Sequence, residues 1–233
     1  MFTLHKAASR GHSDFGWLDS RHSFSFGDYY NPESMGFRTL RVINEDHVAA
    51  GSGFPTHPHR DMEIFSYVVS GALAHKDSMG NQRQLGPGEI QIMSAGSGVT
   101  HSEFNPSPKD PAHFLQIWLQ PAHKSLTPSY SEWKPTPGSE TRPKVLLISP
   151  DGHEGSATIH QDACVYRLRL TPGQRIGHAV SEDWGVWIQV ISGSFVSGNG
   201  ARVEAGDGLA VEGETELLLE CIEPLEALLF ELH

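Results

Sequence analysis

The sequence predicts an all-β chain built as barrels or sandwiches, and three observations predict it. Short runs rich in β-branched, aliphatic and aromatic residues recur along its length, among them Ile64–Ser70 and Ala112–Leu119. Turn-forming groups punctuate these runs, as at Pro87-Gly88-Glu89 and Gly96-Ser97-Gly98, in the manner of antiparallel strands joined by short turns. The second half also echoes the first. Gln189-Val-Ile-Ser-Gly193 repeats Tyr67-Val-Val-Ser-Gly71, and Ala205-Gly206-Asp207 repeats Pro87-Gly88-Glu89. Few helices are expected.

Composition bounds the class. The chain of 233 residues suits one large domain or two small ones, and 38% hydrophobic residues with both charge signs indicate a soluble globular protein. A net charge of −11 argues against direct nucleic-acid binding and against anionic membrane surfaces. Met1–Ser13 lacks the apolar core of a secretory signal, and no apolar run approaches membrane-spanning length. Two cysteines, Cys164 and Cys221, make no disulfide framework, so a cytoplasmic location is the default reading.

In chain order, His22-Ser-Phe24-Ser-Phe26 alternates like a half-buried strand, and Asp28-Tyr-Tyr-Asn-Pro32 turns. Phe37–Ile43 and His47–Ala50 read as a hairpin. Ala112–Leu119 puts Phe114, Gln116 and Trp118 on one face and His113, Leu115, Ile117 and Leu119 on the other. The proline-rich stretch from Pro121 to Pro143 reads as a linker, which divides the chain into domains 1–134 and 135–233.

The stretch His57 to Asn105 carries the chemistry. It opens with His57-Pro58-His59 and closes with His101-Ser102-Glu103. On a strand each i, i+2 pair points to one side, so two facing strands place three imidazoles and one carboxylate around one point, the coordination sphere of a transition metal. Pro58 donates no hydrogen bond and suits a strand start or an edge. Counting from the matched glycines, the equivalent positions of the second half are Ala179, Ser181, Leu219 and Cys221, so the second barrel is expected to hold no metal. His178 lies one residue from a ligand position, on the opposite face. Bland readings suffice for His5, His12, His47, His123, His153, His160 and His233 as surface or hydrogen-bonded groups. His75 and His113 are candidate pocket residues with a structural role favoured. Phe24, Phe26 and Trp118 suit either an aromatic pocket or plain core packing. Gly96-Ser97-Gly98 lacks the further residues of a nucleotide loop.

Gly51, five residues, His57-x-His59, three residues and Glu63 resemble the first cupin motif, and Pro87-Gly88 through His101-x-x-x-Asn105 resembles the second. THPHRDMEIFSYVVSG, MSAGSGVTHSEFN and HSFSFGDYY resemble the pirin family, specifically bacterial members with quercetin 2,3-dioxygenase-like activity. Three positions depart from the general cupin pattern: Gly71 is one residue late, Ser94 replaces a usual proline, and His101 is two residues late. The resemblance implies two cupin-type β-barrels in one chain, a bicupin of jelly-roll sandwiches. Glu63, whose equivalent often binds metal in cupins, is expected beside the site or in a strand ion pair, because Glu103 already supplies a carboxylate.

Three neutral imidazoles and one carboxylate leave a divalent ion with net charge near +1 and open positions for an anionic oxygen and O2. Fe(II) suits such chemistry best, with Cu, Ni, Co, Mn or Zn as alternatives. The resemblance implies a flavonol or other phenolic substrate, cleaved with O2 and loss of carbon monoxide, with Glu103 as the group that takes the hydroxyl proton. A monomer is the default. The alternative is a metal-dependent redox sensor or regulatory module of the pirin type that binds a protein partner. One metal is expected in residues 1–134 and none in 135–233. Elemental analysis of the separately expressed halves checks this, and tightly held metal in the second half overturns it.

Overall fold

The computed structural model describes all residues, Met1–His233. The only helical segments are three single-turn 3-10 helices, and none is long and apolar enough to cross a membrane. The chain forms two compact units. One comprises Gly11–Pro135 with Ala157–Gln161; the other comprises Met1–Arg10, Thr136–Ser156 and Asp162–His233.

The first unit holds two sheets. A seven-stranded antiparallel sheet runs in the order Ser129–Trp133, Ile90–Ser94, Glu63–Ser70, Ala112–Leu119, Leu40–Val48, Leu18–His22 and Gly11–Asp14. A four-stranded sheet runs Gly53–His59, Val99–Phe104, Leu73–Asp77 and Gln82–Leu85. Aliphatic and aromatic side chains from both sheets, including Val48, Val68, Leu73, Leu85 and Phe114, pack between them. Burial of such side chains, at roughly 25 cal/mol per Å² of apolar surface, drives the sandwich together.

Three expectations change here. Asn44-Glu45-Asp46 has turn composition, yet Leu40–Val48 is one continuous nine-residue strand, not a hairpin. Asn44 and Asp46 alternate with Val42 and Val48 on the buried side, where polar partners receive them. His22–Phe26 is likewise not a strand: the strand Leu18–His22 ends there and the chain bends, with Phe24 only 1% exposed in the core. The proline-rich stretch contains the strand Ser129–Trp133, which pairs with Ile90–Ser94 and extends the large sheet.

In the second unit, Phe2–His5, Gly208–Val211, Gly185–Ser197, Glu216–Leu232, Ala163–Leu170 and Lys144–Ser149 lie side by side. Arg175–Ala179 and Arg202–Glu204 pair with its two longest strands. Met1–Arg10 therefore packs with the C-terminal half, through the pairing of Phe2 to His5 with Val211 to Gly208. Arg175–Ala179 sets Ile176 opposite Leu219 and His178 opposite Leu217. Ile176 therefore stands where the first unit has His57, and His178 where it has His59, rather than Ala179 and Ser181; His178 is at a ligand position and not on the opposite face, a slip of three residues that loop-length differences introduce.

The duplication shows in the backbone. Gly71 and Gly193 take φ of +77° and +76°, a region costly for other residues. A Cβ at Gly71 would meet Pro111 O at 2.8 Å, and one at Gly193 would meet Pro224 O at 2.0 Å. Gly80, with φ of +95°, has open space around it. Gly193→Ala and Gly71→Ala are therefore expected to lower stability by more than the ~1–2 kcal/mol of left-handed strain alone, whereas Gly80→Ala costs no more than that strain. Thermal unfolding of the three variants checks the order.

Candidate metal centre

Antiparallel pairing of Gly53–His59 with Val99–Phe104 sets His57 directly opposite His101 and Val99 opposite His59. The i, i+2 spacing turns His59 to the side of His57. The three rings meet, with centroids 4.5 Å apart for His57–His101, 4.7 Å for His57–His59 and 4.8 Å for His59–His101. Their ligand atoms form one group within 4.8 Å of one another.

Hydrogen bonds assign the protons. His57 Nδ1 lies 2.8 Å from Pro55 O, and a carbonyl only accepts, so Nδ1 carries the hydrogen and Nε2 is bare. Behind His101, Asp77 Oδ2 accepts from His75 Nε2 at 3.1 Å. His75 Nδ1 is then the acceptor that faces His101 Nδ1 at 3.5 Å, and His101 Nε2 is bare as well. The Nε2 atoms of His57 and His101 stand 3.0 Å apart. Two lone pairs at that distance repel unless a cation lies between them. His59 Nε2 is buried without a hydrogen-bond partner, which costs about 1–3 kcal/mol unless something binds it. Burial first, then the neighbouring imidazoles, pushes His59 down to about 4 and His101 down to about 3, so both are neutral at pH 7. Neutral, convergent imidazole nitrogens are the donor set of a divalent transition metal, and the residues present fit one.

Glu103 sits two residues past His101, beyond an irregularity in the pairing. Its carboxylate is grouped with His101 and His75 rather than with all three histidines of the first cluster. Ser66 Oγ donates to one oxygen at 3.0 Å and Gln116 Nε2 donates to the other. Glu63 faces elsewhere: Ser94 Oγ donates to it at 2.6 Å and His160 Nδ1 lies 3.6 Å away. His75 stands behind His101, and His113 pairs with Glu45 at 3.0 Å and stacks on His47, outside the cavity. In the second unit, His178 is buried between Lys144 and Glu231, and Cys221 donates to backbone carbonyls. All three groups of metal-competent side chains fall in the first unit.

A cavity of about 250 Å³ opens over the histidines. Phe15, Phe26, Phe54 and Trp118 make its apolar walls, and Trp118 meets His59 edge-on at 4.8 Å. Ser20, His22, Asn44 and Asp46 make a polar wall, and no lysine or arginine lines the space. Burial pushes the Asp46 carboxyl up to about 7, against the hydrogen bond from Ser20 and with help from Glu103 and Glu45. Sequence reasoning missed Ser20, Asn44, Asp46, Ser66 and Gln116 as site residues. The signal for two of them was an alternation, Asn44 and Asp46 on one face of an otherwise apolar strand.

The depressed histidines have a stability consequence. Unfolded, each titrates near 6.5; folded, each stays neutral until pH 3–4. Between those values the unfolded chain binds more protons, so the stability these groups contribute is present above pH 6.5 and lost as pH falls toward 4. Melting temperatures of metal-free protein are expected to drop across that window, and less steeply in a His59→Asn, His101→Asn variant.

Comparison with known proteins places the chain in a family. Residues 3–119 match the Pirin family and residues 146–232 match the quercetinase C-terminal cupin domain. Quercetin 2,3-dioxygenase of Escherichia coli (strain K12) is 46% identical over 232 residues, covering 100% of this chain and 99% of that one. The crystal structure of YhhW from Escherichia coli superposes with a TM-score of 0.96 at 45% identity, covering 100% of this chain and 98% of that one. A structure of bacterial pirin YhhW in complex with nickel(II) superposes at 0.94, at 45% identity, over 100% and 99% of the two chains. With two cupin units and a full-length likeness of this strength, the chain belongs to the pirin family.

Proposed function

We propose that this chain is a metal-dependent dioxygenase that cleaves a flavonol with O2 and releases carbon monoxide. His57, His59, His101 and Glu103 hold the metal. One observation carries the reading: three unprotonated imidazole nitrogens converge at the floor of an aromatic-walled cavity with no cationic side chain. The relative named quercetin 2,3-dioxygenase supports the reaction, and the nickel(II) complex of YhhW supports the binding of a divalent metal. Fe(II) is the metal best suited to the reaction.

Bound there, a redox-capable divalent metal supplies open electrophilic positions for an anionic oxygen and for O2. The chain's own residues do the rest. Phe26 and Trp118, packed edge to face at 5.5 Å, form one continuous apolar wall against which a planar ring system lies shielded from water. That wall holds the substrate's 3-hydroxyl toward the histidines. Glu103 takes that hydroxyl's proton, because it is the carboxylate beside the cluster and each of its oxygens keeps a lone pair beyond the bonds from Ser66 and Gln116. Those two donors hold the carboxylate in place as it acts. Away from the histidines, the absence of lysine and arginine leaves no side chain to pair with a carboxylate or phosphate elsewhere on a substrate.

Flavonols with a free 3-hydroxyl are expected to release carbon monoxide into the headspace, and 3-O-methylated analogues are not. Equal turnover of capped and free compounds overturns the binding mode.

Metal-ligand variants separate the roles. His57→Ala or His101→Ala is expected to lose most of the metal. Glu103→Gln keeps an oxygen and the three imidazoles, so it is expected to retain a substantial share of metal yet turn over about 10²–10⁴-fold more slowly per bound metal. Wild-type turnover per metal in Glu103→Gln would leave Glu103 as a ligand only.

A further inference from the structure

The polar wall of the cavity has a chemistry of its own, and its hydroxyl and imidazole hydrogens are already used. His22 Nδ1 lies 2.7 Å from Asn44 Oδ1, an acceptor, so Nδ1 holds the ring hydrogen and Nε2 accepts. Ser13 Oγ, 2.9 Å from His22 Nε2, is then the donor to it. Ser20 Oγ donates to Asp46. The hydroxyl hydrogens of Ser13 and Ser20 and the ring hydrogen of His22 thus all point within the wall. What remains toward the cavity is chiefly acceptor capacity, the lone pairs of two serine oxygens and of Asp46 as a carboxylate, with the Asn44 amide hydrogens beside them. Ser20, His22, Asn44 and Asp46 are each no more than 5% exposed. A connected polar network of this kind in a sandwich interior carries a desolvation cost that apolar residues would avoid.

We propose that Ser13, Ser20 and Asp46 form a hydroxyl-recognition site that selects substrates carrying phenolic hydroxyls remote from the oxygen directed at the histidines. The inference rests on the flavonol reading above and adds which flavonols the cavity prefers. An acceptor-rich wall that carries no lysine or arginine repels acidic groups and pairs with neutral donors. Phenolic O–H groups on a flat ring match both the acceptors and the aromatic walls. The cavity, at about 250 Å³, lies below the usual range of ~300–1,000 Å³ for ligand pockets, so it encloses part of a flavonol. The enclosed outer ring then meets the wall, and its hydroxyls fix which way round the molecule enters. Ser13 and Ser20 act as positioning residues: they orient the substrate and take no part in bond cleavage.

The test uses full-length protein loaded with Zn(II), so that binding is read without turnover. Dissociation constants are measured by calorimetry for 3-hydroxyflavone, which has no other hydroxyl, and for a flavonol hydroxylated on both outer rings. Wild type is expected to bind the polyhydroxylated compound about tenfold to hundredfold more tightly, the size expected when buried acceptors gain or lack their partner. Ser13→Ala with Ser20→Ala is expected to reduce that ratio to about twofold or less while changing the affinity for 3-hydroxyflavone less than twofold. Ser13→Ala alone, at a half-buried position, gives an intermediate ratio and guards against a misfolded double variant. Equal binding of both compounds by wild type, or an unchanged ratio in the double variant, overturns this inference alone. Binding of neither compound overturns the flavonol reading and this inference with it.

Discussion

The structure turns on two unprotonated nitrogens held 3.0 Å apart. Nothing favourable joins His57 Nε2 to His101 Nε2. The proton that would bridge them is withheld, on one side by the Pro55 carbonyl and on the other by the chain from Asp77 through His75. Burial resists protonation of His101 and of the neighbouring His59 further, so these two stay neutral where most imidazoles begin to charge. Strand pairing keeps the rings from separating, because His57 and His101 occupy directly opposed positions in the ladder. The fold therefore presents two imidazole lone pairs at a spacing that one shared cation fits.

That constraint explains the layout around it. The four-stranded sheet supplies the histidines, and the seven-stranded sheet supplies what faces them. Gln116 and Ser66 come from adjacent central strands of the larger sheet and reach Glu103 across the sandwich. Asn44 and Asp46 come from the next strand over, and Ser20 and His22 from the one beyond. Polar side chains on the inner faces of four consecutive strands are costly in a core that is elsewhere Val, Leu, Ile and Phe. Their clustering over the histidines marks one end of the sandwich for chemistry and leaves the rest for packing. The second unit pairs Ile188 with Leu229 where the first pairs Ser66 with Gln116, and these two belong to an aliphatic and aromatic core cluster.

Much of this was legible in the sequence, and the parts that were not have physical reasons. The all-β class, the strand Ala112–Leu119 and the convergence of His57, His59 and His101 follow from two-residue periodicity, which a local reading captures. Leu40–Val48 was misread because Asn44 and Asp46 are turn formers by propensity, and the buried partners that keep them in a strand lie on another strand, at Ser20 and His22. Phe2–His5 was missed because its partner, Gly208–Val211, lies some two hundred residues away. The slip between Ile176 and Ala179 came from counting across a loop, where insertions leave no periodic trace. Local pattern carries local structure, and pairing distance sets where that stops.

Pro58 has a further meaning once its strand is seen at the edge of the four-stranded sheet. An edge strand offers an unpaired row of amide groups to any passing extended chain, and open rows of this kind nucleate aggregation. Prolines 55 and 58 both lack the amide hydrogen such a chain would seek, and the irregularity in pairing opposite His101–Glu103 breaks the flat register it would need. The residues that stiffen the metal-facing strand thus also make it a poor template for self-association. A family could exchange its histidines and lose an activity, but exchanging these prolines would expose a sticky border next to the cavity mouth.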